Sequence, residues 1–188
     1  VVSALTFCHV HVCAGLELMV DTFCIDFIPD SDFNQGVVSW NVLQAVMRQA
    51  AQTIDLSFVL VQTSVITASV FIGMDVALGR KSPEYAFRRL PSSLVMAAIM
   101  HYGQYRAAAV SEKCSRVPAL MNSLVVQGHA INVDRQYMVQ FIMQSAAGFY
   151  VKGVRLTAFM VLKVAYLCVM VVVGFAIRLS NSSSMPLA

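Results

Sequence analysis

From Leu156 to Ile177 the chain runs 22 residues with a single charge, Lys163, and no proline. At about 1.5 Å of rise per residue this makes roughly 33 Å of helix, enough to cross a hydrocarbon layer about 30 Å thick. Such a stretch needs either a bilayer or a complete coat of protein, and composition decides between the two. Of 188 residues, 58% are hydrophobic and 12% charged, about half the charged share of roughly 25% usual in globular domains. A globule of this length has too much surface for its volume to hide so much apolar material. The expected fold class is all-α: an integral membrane helical bundle of about three to four spans, forming a single transmembrane helical domain.

Charge is distributed unevenly. Residues 1–79 hold seven acids and one base, Arg48, whereas residues 80–188 hold twelve bases and three acids. The bases gather in connecting segments, the pattern of membrane topology rather than of nucleic-acid binding. The chain opens on Val1 rather than Met, which suggests a fragment. Val1 to Val20 has neither a basic start nor a small-residue cleavage site, so it reads as a span, or the end of one, rather than a signal peptide. An acidic connector follows (Asp21, Asp26, Asp30, Asp32), with Asn34-Gln35-Gly36 as a turn. Val37–Asp55 has apolar residues near helical spacing and reads as an amphipathic helix.

Leu56–Gly79 is a second strong span, with recurrent Ser and Thr that suit close helix packing. A basic connector, Arg80 to Pro91, leads to a third helix at Ser92–Val110, which is polar beyond Arg106. Pro118 and Gly128 punctuate the next segment. Asn132 is a candidate N-cap with Asp134 in the first turn, and the tail Ser180–Ala188 reads as frayed.

Candidate sites are few. Cys8, His9, His11 and Cys13 invite a metal reading, since His9 and Cys13 at i and i+4 share a helix face. A zinc site needs about four ligands, and no second cluster completes one. The histidines therefore read as polar residues within a helix, and no metal or other cofactor is expected. Five scattered cysteines read as small apolar packing residues. Two intramembrane charges, Glu17 and Lys163, either pair with each other or lie near interfaces and snorkel, and the sequence favours snorkelling. Lys163, Tyr166, Met170, Val173 and Ile177 fall at spacings of three and four on one face of the last helix. That face lines a pore if it meets a symmetry axis and is a packing seam if it does not. On sequence alone the seam is favoured. Asn181-Ser182-Ser183 fits a glycosylation acceptor, though too close to a helix end for good access. No phosphate loop, triad or paired-carboxylate pattern appears, so no catalytic residue is expected.

The run Ser145-Ala146-Ala147-Gly148-Phe149-Tyr150-Val151, then Leu156-Thr157, then Ala165 to Val171 with Tyr166, resembles the C-terminal segment of the gustatory and odorant receptor-like superfamily. The family's closing Gln-Phe is absent, with Val172 and Val173 in those places. The resemblance covers about 45 residues. It implies a seven-helix plasma-membrane protein whose last segment splits into a cytosolic anchor helix, here Asn132–Ala147, and a pore helix, here Leu156–Ile177. It further implies a homotetrameric, ligand-gated, nonselective cation channel opened by a small molecule, with Tyr166 and the apolar residues after it near the pore. The present chain would correspond to roughly the C-terminal half. In that layout the Arg80–Pro91 connector lies outside the cell, whereas its bases favour the cytoplasmic side. Two other functions stay open: a non-conducting accessory membrane subunit, and a transporter fragment built around the Gly148–Gly153 break.

Overall fold

The structure is a computed structural model that describes residues 2–30, 32–77, 83–124 and 133–183. These form five helices and one short hairpin: α1 (Val2–Asp30), α2 (Phe33–Ala77), α3 (Pro83–Ser123), α4 (Val133–Ser145), β1 (Tyr150–Val151), β2 (Val154–Arg155) and α5 (Ala158–Ser183). The all-helical expectation holds. The number of spans differs: among the described residues two helices, Val2–Ile28 and Phe33–Ile72, are long and apolar enough to cross a membrane, rather than three to four. The last helix contributes a shorter apolar stretch, Ala158–Met170.

The elements are fewer and longer than the sequence pattern suggests. The acidic connector is largely helical, because α1 continues to Asp30. Its last turns are held by rings: Phe23 lies 5.2 Å from Trp40, and Phe27 lies 5.5 Å from Phe33. Asn34-Gln35-Gly36 is the first turn of α2, not a turn of its own. Asp32 caps that turn, its carboxylate accepting from the amides of Asn34 and Gln35 at 3.0 and 3.2 Å, as N-cap aspartates do. The amphipathic helix and the second span then fuse into one helix of 45 residues, about 68 Å long.

Helix α3 likewise joins segments that prolines were expected to separate, and it carries both Pro91 and Pro118 inside it. Around Pro118 the fully buried Val117 and Met121 hold the chain in register despite the lost amide donor. Helix α4 starts one residue after the expected N-cap, Asn132, which lies outside the described residues. Helix α5 runs to Ser183, so the first residues of the expected tail are helical, and 184–188 lie outside the described residues.

Helices α1 and α3 run parallel and α2 runs antiparallel to both. His9 of α1 meets Ser57 of α2 near one end, and Phe27 meets Phe33 at the other. Ser69 of α2 meets Ser93 of α3, while Cys114 meets Met47. The buried core is concentrated towards the end that carries the α1–α2 turn. It comprises Leu16 and Val20 of α1, Trp40 and Met47 of α2, Val110 and Met121 of α3, Met138 and Ile142 of α4, and Phe149. At the opposite end α2 and α3 expose large apolar side chains, Leu60, Ile66, Val70, Phe71, Leu94 and Val95 among them. One end therefore has a protein-like interior, while the other shows its apolar groups outward.

Candidate functional site

Helix α1 carries Glu17 and Asp21 one turn apart, and α3 carries Arg106 and Lys113 two turns apart. Because the helices run parallel, the four meet as a ladder. Arg106 Nη2 lies 3.2 Å from Glu17 Oε1, Lys113 Nζ lies 3.9 Å from Glu17 Oε2, and Lys113 donates to Asp21. The Glu17 side chain is 11% exposed against 26% for Arg106. A carboxylate this buried needs partners, and α3 supplies two.

Of the two expected intramembrane charges, Glu17 is paired with Arg106 and Lys113 of α3 rather than with Lys163. Lys163 stands 4.3 Å over the Phe159 ring on α5, a cation–π contact. In the sequence Arg106 and Lys113 are only the polar end of a short apolar helix, which hides them as partners of Glu17. Their seven-residue spacing against a four-residue pair of acids was the available signal.

A second junction ties α4 and the hairpin to α2 and α3. Ser145, the last residue of α4, donates its hydroxyl to Ile142 O at 2.7 Å. Its oxygen accepts from Trp40 Nε1 at 2.9 Å, and its carbonyl accepts from Gln44 Nε2 at 2.7 Å. The helix stops there because Ala146 turns to a left-handed φ of 47°, the usual means of helix termination. Lys152 (φ 50°) and Gly153 (φ 77°) close a two-residue hairpin in which Tyr150 pairs with Arg155 and Val151 with Val154. Both turn residues having positive φ is the pattern of a type I′ turn.

The hairpin is docked at both ends. Asp55 accepts from the Lys152 amide at 3.1 Å and pairs with its ammonium at 3.0 Å. The fully buried Ser111 of α3 accepts from the Phe149 amide at 3.0 Å, and its carbonyl accepts from Arg155 Nη2 at 2.9 Å. Gly148 is required here, since a Cβ on it would lie 2.7 Å from Arg155 Nε and 3.0 Å from Ser111 Oγ. Nothing in the sequence marks Ser111, because its role exists only once α3 and the hairpin touch. The small-small-Gly-aromatic run Ser145–Tyr150 leads into the hairpin, whose two-residue strands are too short to show an alternating pattern.

Cys114 sits beneath this junction with its thiol 3.6 Å from Met47 Sδ. Burial pushes that thiol up to about 11, with the nearby Arg155 charge opposing the shift. A cleft of about 400 Å³ opens between α2 and the hairpin, walled by Arg48, Gln52, Asp55, Tyr150 and Lys152.

Among the described residues no three His, Cys, Asp or Glu side chains converge as a metal site would require. His9 shares a buried face with Cys13 and bonds Ser57 Oγ at 2.8 Å. Ser57 spends its own proton on Ile54 O, so His9 Nε2 is the donor. Cys8 and His11 lie on the exposed side.

Tyr166, Met170, Val173 and Ile177 all lie on α5 and are 62%, 52%, 46% and 57% exposed. Helix α5 packs on α3 through its other side, where Val161, Val164, Ala165 and Cys168 are half-buried. The four residues thus form an outward stripe rather than a seam within the chain. Comparison with family models, curated proteins and solved structures finds no match.

Proposed function

We propose that the chain is a subunit of a receptor-like, ligand-gated, nonselective cation channel, seated in the plasma membrane and assembled from identical copies around a central pore. The observation that carries this reading is the outward stripe of α5, Tyr166, Met170, Val173 and Ile177, standing clear of the chain's own core. A last helix held through one neighbour and open on its other face suits a symmetry axis, where copies of that face enclose a path. Helix α2 has the length and apolarity to sit in the bilayer, while α1, whose His9 meets Ser57 and whose Phe27 meets Phe33, runs beside its first half. The α4–hairpin junction would then lie outside the hydrocarbon, since α2 at about 68 Å exceeds twice the thickness of that layer. The resemblance of Ser145–Val151 and Tyr166 to the gustatory and odorant receptor-like superfamily supplies the tetramer and the small-molecule trigger.

A second reading is a non-conducting accessory membrane subunit, favoured by Lys163. That cation lies at the start of the stripe and would repel cations from a pore lined there. A transporter is favoured less. Its broken helix belongs at the bilayer midplane, whereas the break after Ser145 is folded into a hairpin tied to Asp55, at the polar end of the apolar half of α2.

The test is single-channel recording from the purified chain in planar bilayers, with its mass measured in detergent. We expect a tetramer, cation currents, and a higher unitary conductance at low salt for Lys163→Glu, which places an acid on the path. A monomer without current would leave the accessory reading. A tetrameric channel whose conductance ignores Lys163→Glu would move the pore away from this face.

A further inference from the structure

The cleft between α2 and the hairpin has an unusual balance of charge. Asp55 is neutralised within the chain, because both its oxygens engage Lys152, one through the amide and one through the ammonium. Arg48, four and seven residues before Gln52 and Asp55, lines the same cleft and makes no ion pair or hydrogen bond among the described residues. The cleft is therefore a donor-rich wall with one uncompensated guanidinium. The Lys152 side chain, 60% exposed, has ammonium hydrogens to spare at its rim.

The same face changes character along the helix. Arg48, Gln52, Leu56 and Leu60 follow one another at intervals of four, and all are exposed. The first two are polar; the next two are apolar and 61% and 57% exposed. Whatever fits both parts carries a negative head and an apolar tail.

We propose that this cleft binds an acidic phospholipid, its phosphate held by Arg48 and Lys152 and its acyl chains lying along Leu56 and Leu60. Guanidinium and ammonium groups are suited to phosphate oxygens, and the site lies where the polar half of α2 gives way to its apolar half. The inference rests on the membrane placement of α2 and is independent of conduction. A bound headgroup there bridges α2 to the hairpin that carries α5, so lipid composition sets how firmly the last helix is held.

The experiment is native mass spectrometry of the full chain released from nanodiscs of phosphatidylglycerol and phosphatidylcholine in equal parts. We expect about one retained phosphatidylglycerol per chain. One basic residue near a headgroup contributes on the order of a fivefold preference, so Arg48→Gln reduces retention about fivefold, and Arg48→Lys restores most of it. Arg88→Gln, an exposed position elsewhere on α3, leaves retention unchanged. Leu60→Gln, which removes the apolar contact offered to the acyl chains, also lowers lipid retention. Equal retention of the two lipids, or retention indifferent to Arg48→Gln, overturns the proposal. So does displacement of the lipid by millimolar inorganic phosphate, which would make the cleft a site for the free anion. Channel recordings on the same sample separate this outcome from failure of the channel reading.

Discussion

Three helices meet closely at Gly36. A Cβ there would lie 2.6 Å from Phe27 Cε2 of α1 and 2.7 Å from Met138 Cε of α4. The Met138 tip can move, but Phe27 is wedged between Phe23 and Phe33. Overpacking of this kind costs about 1–3 kcal/mol, against about 1 kcal/mol returned by the better helix propensity of alanine. We expect Gly36→Ala to lower the thermal midpoint in detergent; a rise would mean that Phe27 yields freely. Cys114 gives a pH dependence at the same scale. Its thiol holds its proton to about 11 in the fold, against an ordinary value of 9.0. Between those values the folded chain binds more protons than the unfolded one. The stabilisation is therefore complete below pH 9 and is lost as pH rises towards 11. Cys114→Ala should lessen the fall in melting temperature over that range, and an unchanged fall would assign it to other groups.

Among elements, the α1–α3 ladder is the contact whose removal tells most. Glu17→Gln leaves Arg106 and the Glu17-facing side of Lys113 without a counter-charge. Arg106→Gln leaves Glu17 with Lys113 still 3.9 Å away. Breaking a fully buried pair costs about 3–5 kcal/mol. Partial exposure of both cations reduces this to about 2 kcal/mol for Glu17→Gln and less for Arg106→Gln. Chemical denaturation of both variants and their double mutant measures the coupling. Equal costs for the two single changes would show that Lys113 does not share Glu17. The ladder was half legible beforehand. Glu17 stood out as a charge in an apolar helix, but which cation it meets depends on the parallel course of α1 and α3, and that is set by the turn at Asp32 and the long return through α2.

At the scale of the molecule, the packed end and the apolar end are built differently, and α5 belongs to neither core. It starts at Thr157, whose hydroxyl accepts from the Met160 amide at 3.4 Å, and it packs on α3. Ending the chain after Thr157 should leave the helical content of α1–α4 and its melting temperature nearly unchanged while abolishing the oligomer. Circular dichroism and mass in detergent check both. Loss of folding would place α5 in the core, and an intact oligomer would move the subunit contact to another surface.

The sequence by itself determined that the chain is helical and that Val1–Val20 and Leu56–Gly79 are apolar over membrane-crossing lengths. Composition and uninterrupted apolar length need no partner to be read, and the stripe on α5 follows from spacing alone. Element boundaries were less legible. Local turn and proline signals at Asn34-Gln35-Gly36 and Pro118 were overridden by burial of the residues around them. Only the tertiary structure decided that Arg106 and Lys113 answer Glu17, that Ser111 and Asp55 hold the hairpin, and that Arg48 is left over in a cleft. Each of these depends on which helix faces lie against one another. A side chain's partner is a property of that juxtaposition, and residues 92 to 105 positions apart, as Lys113 is from Asp21 and Ser145 from Trp40, carry no local signal of it.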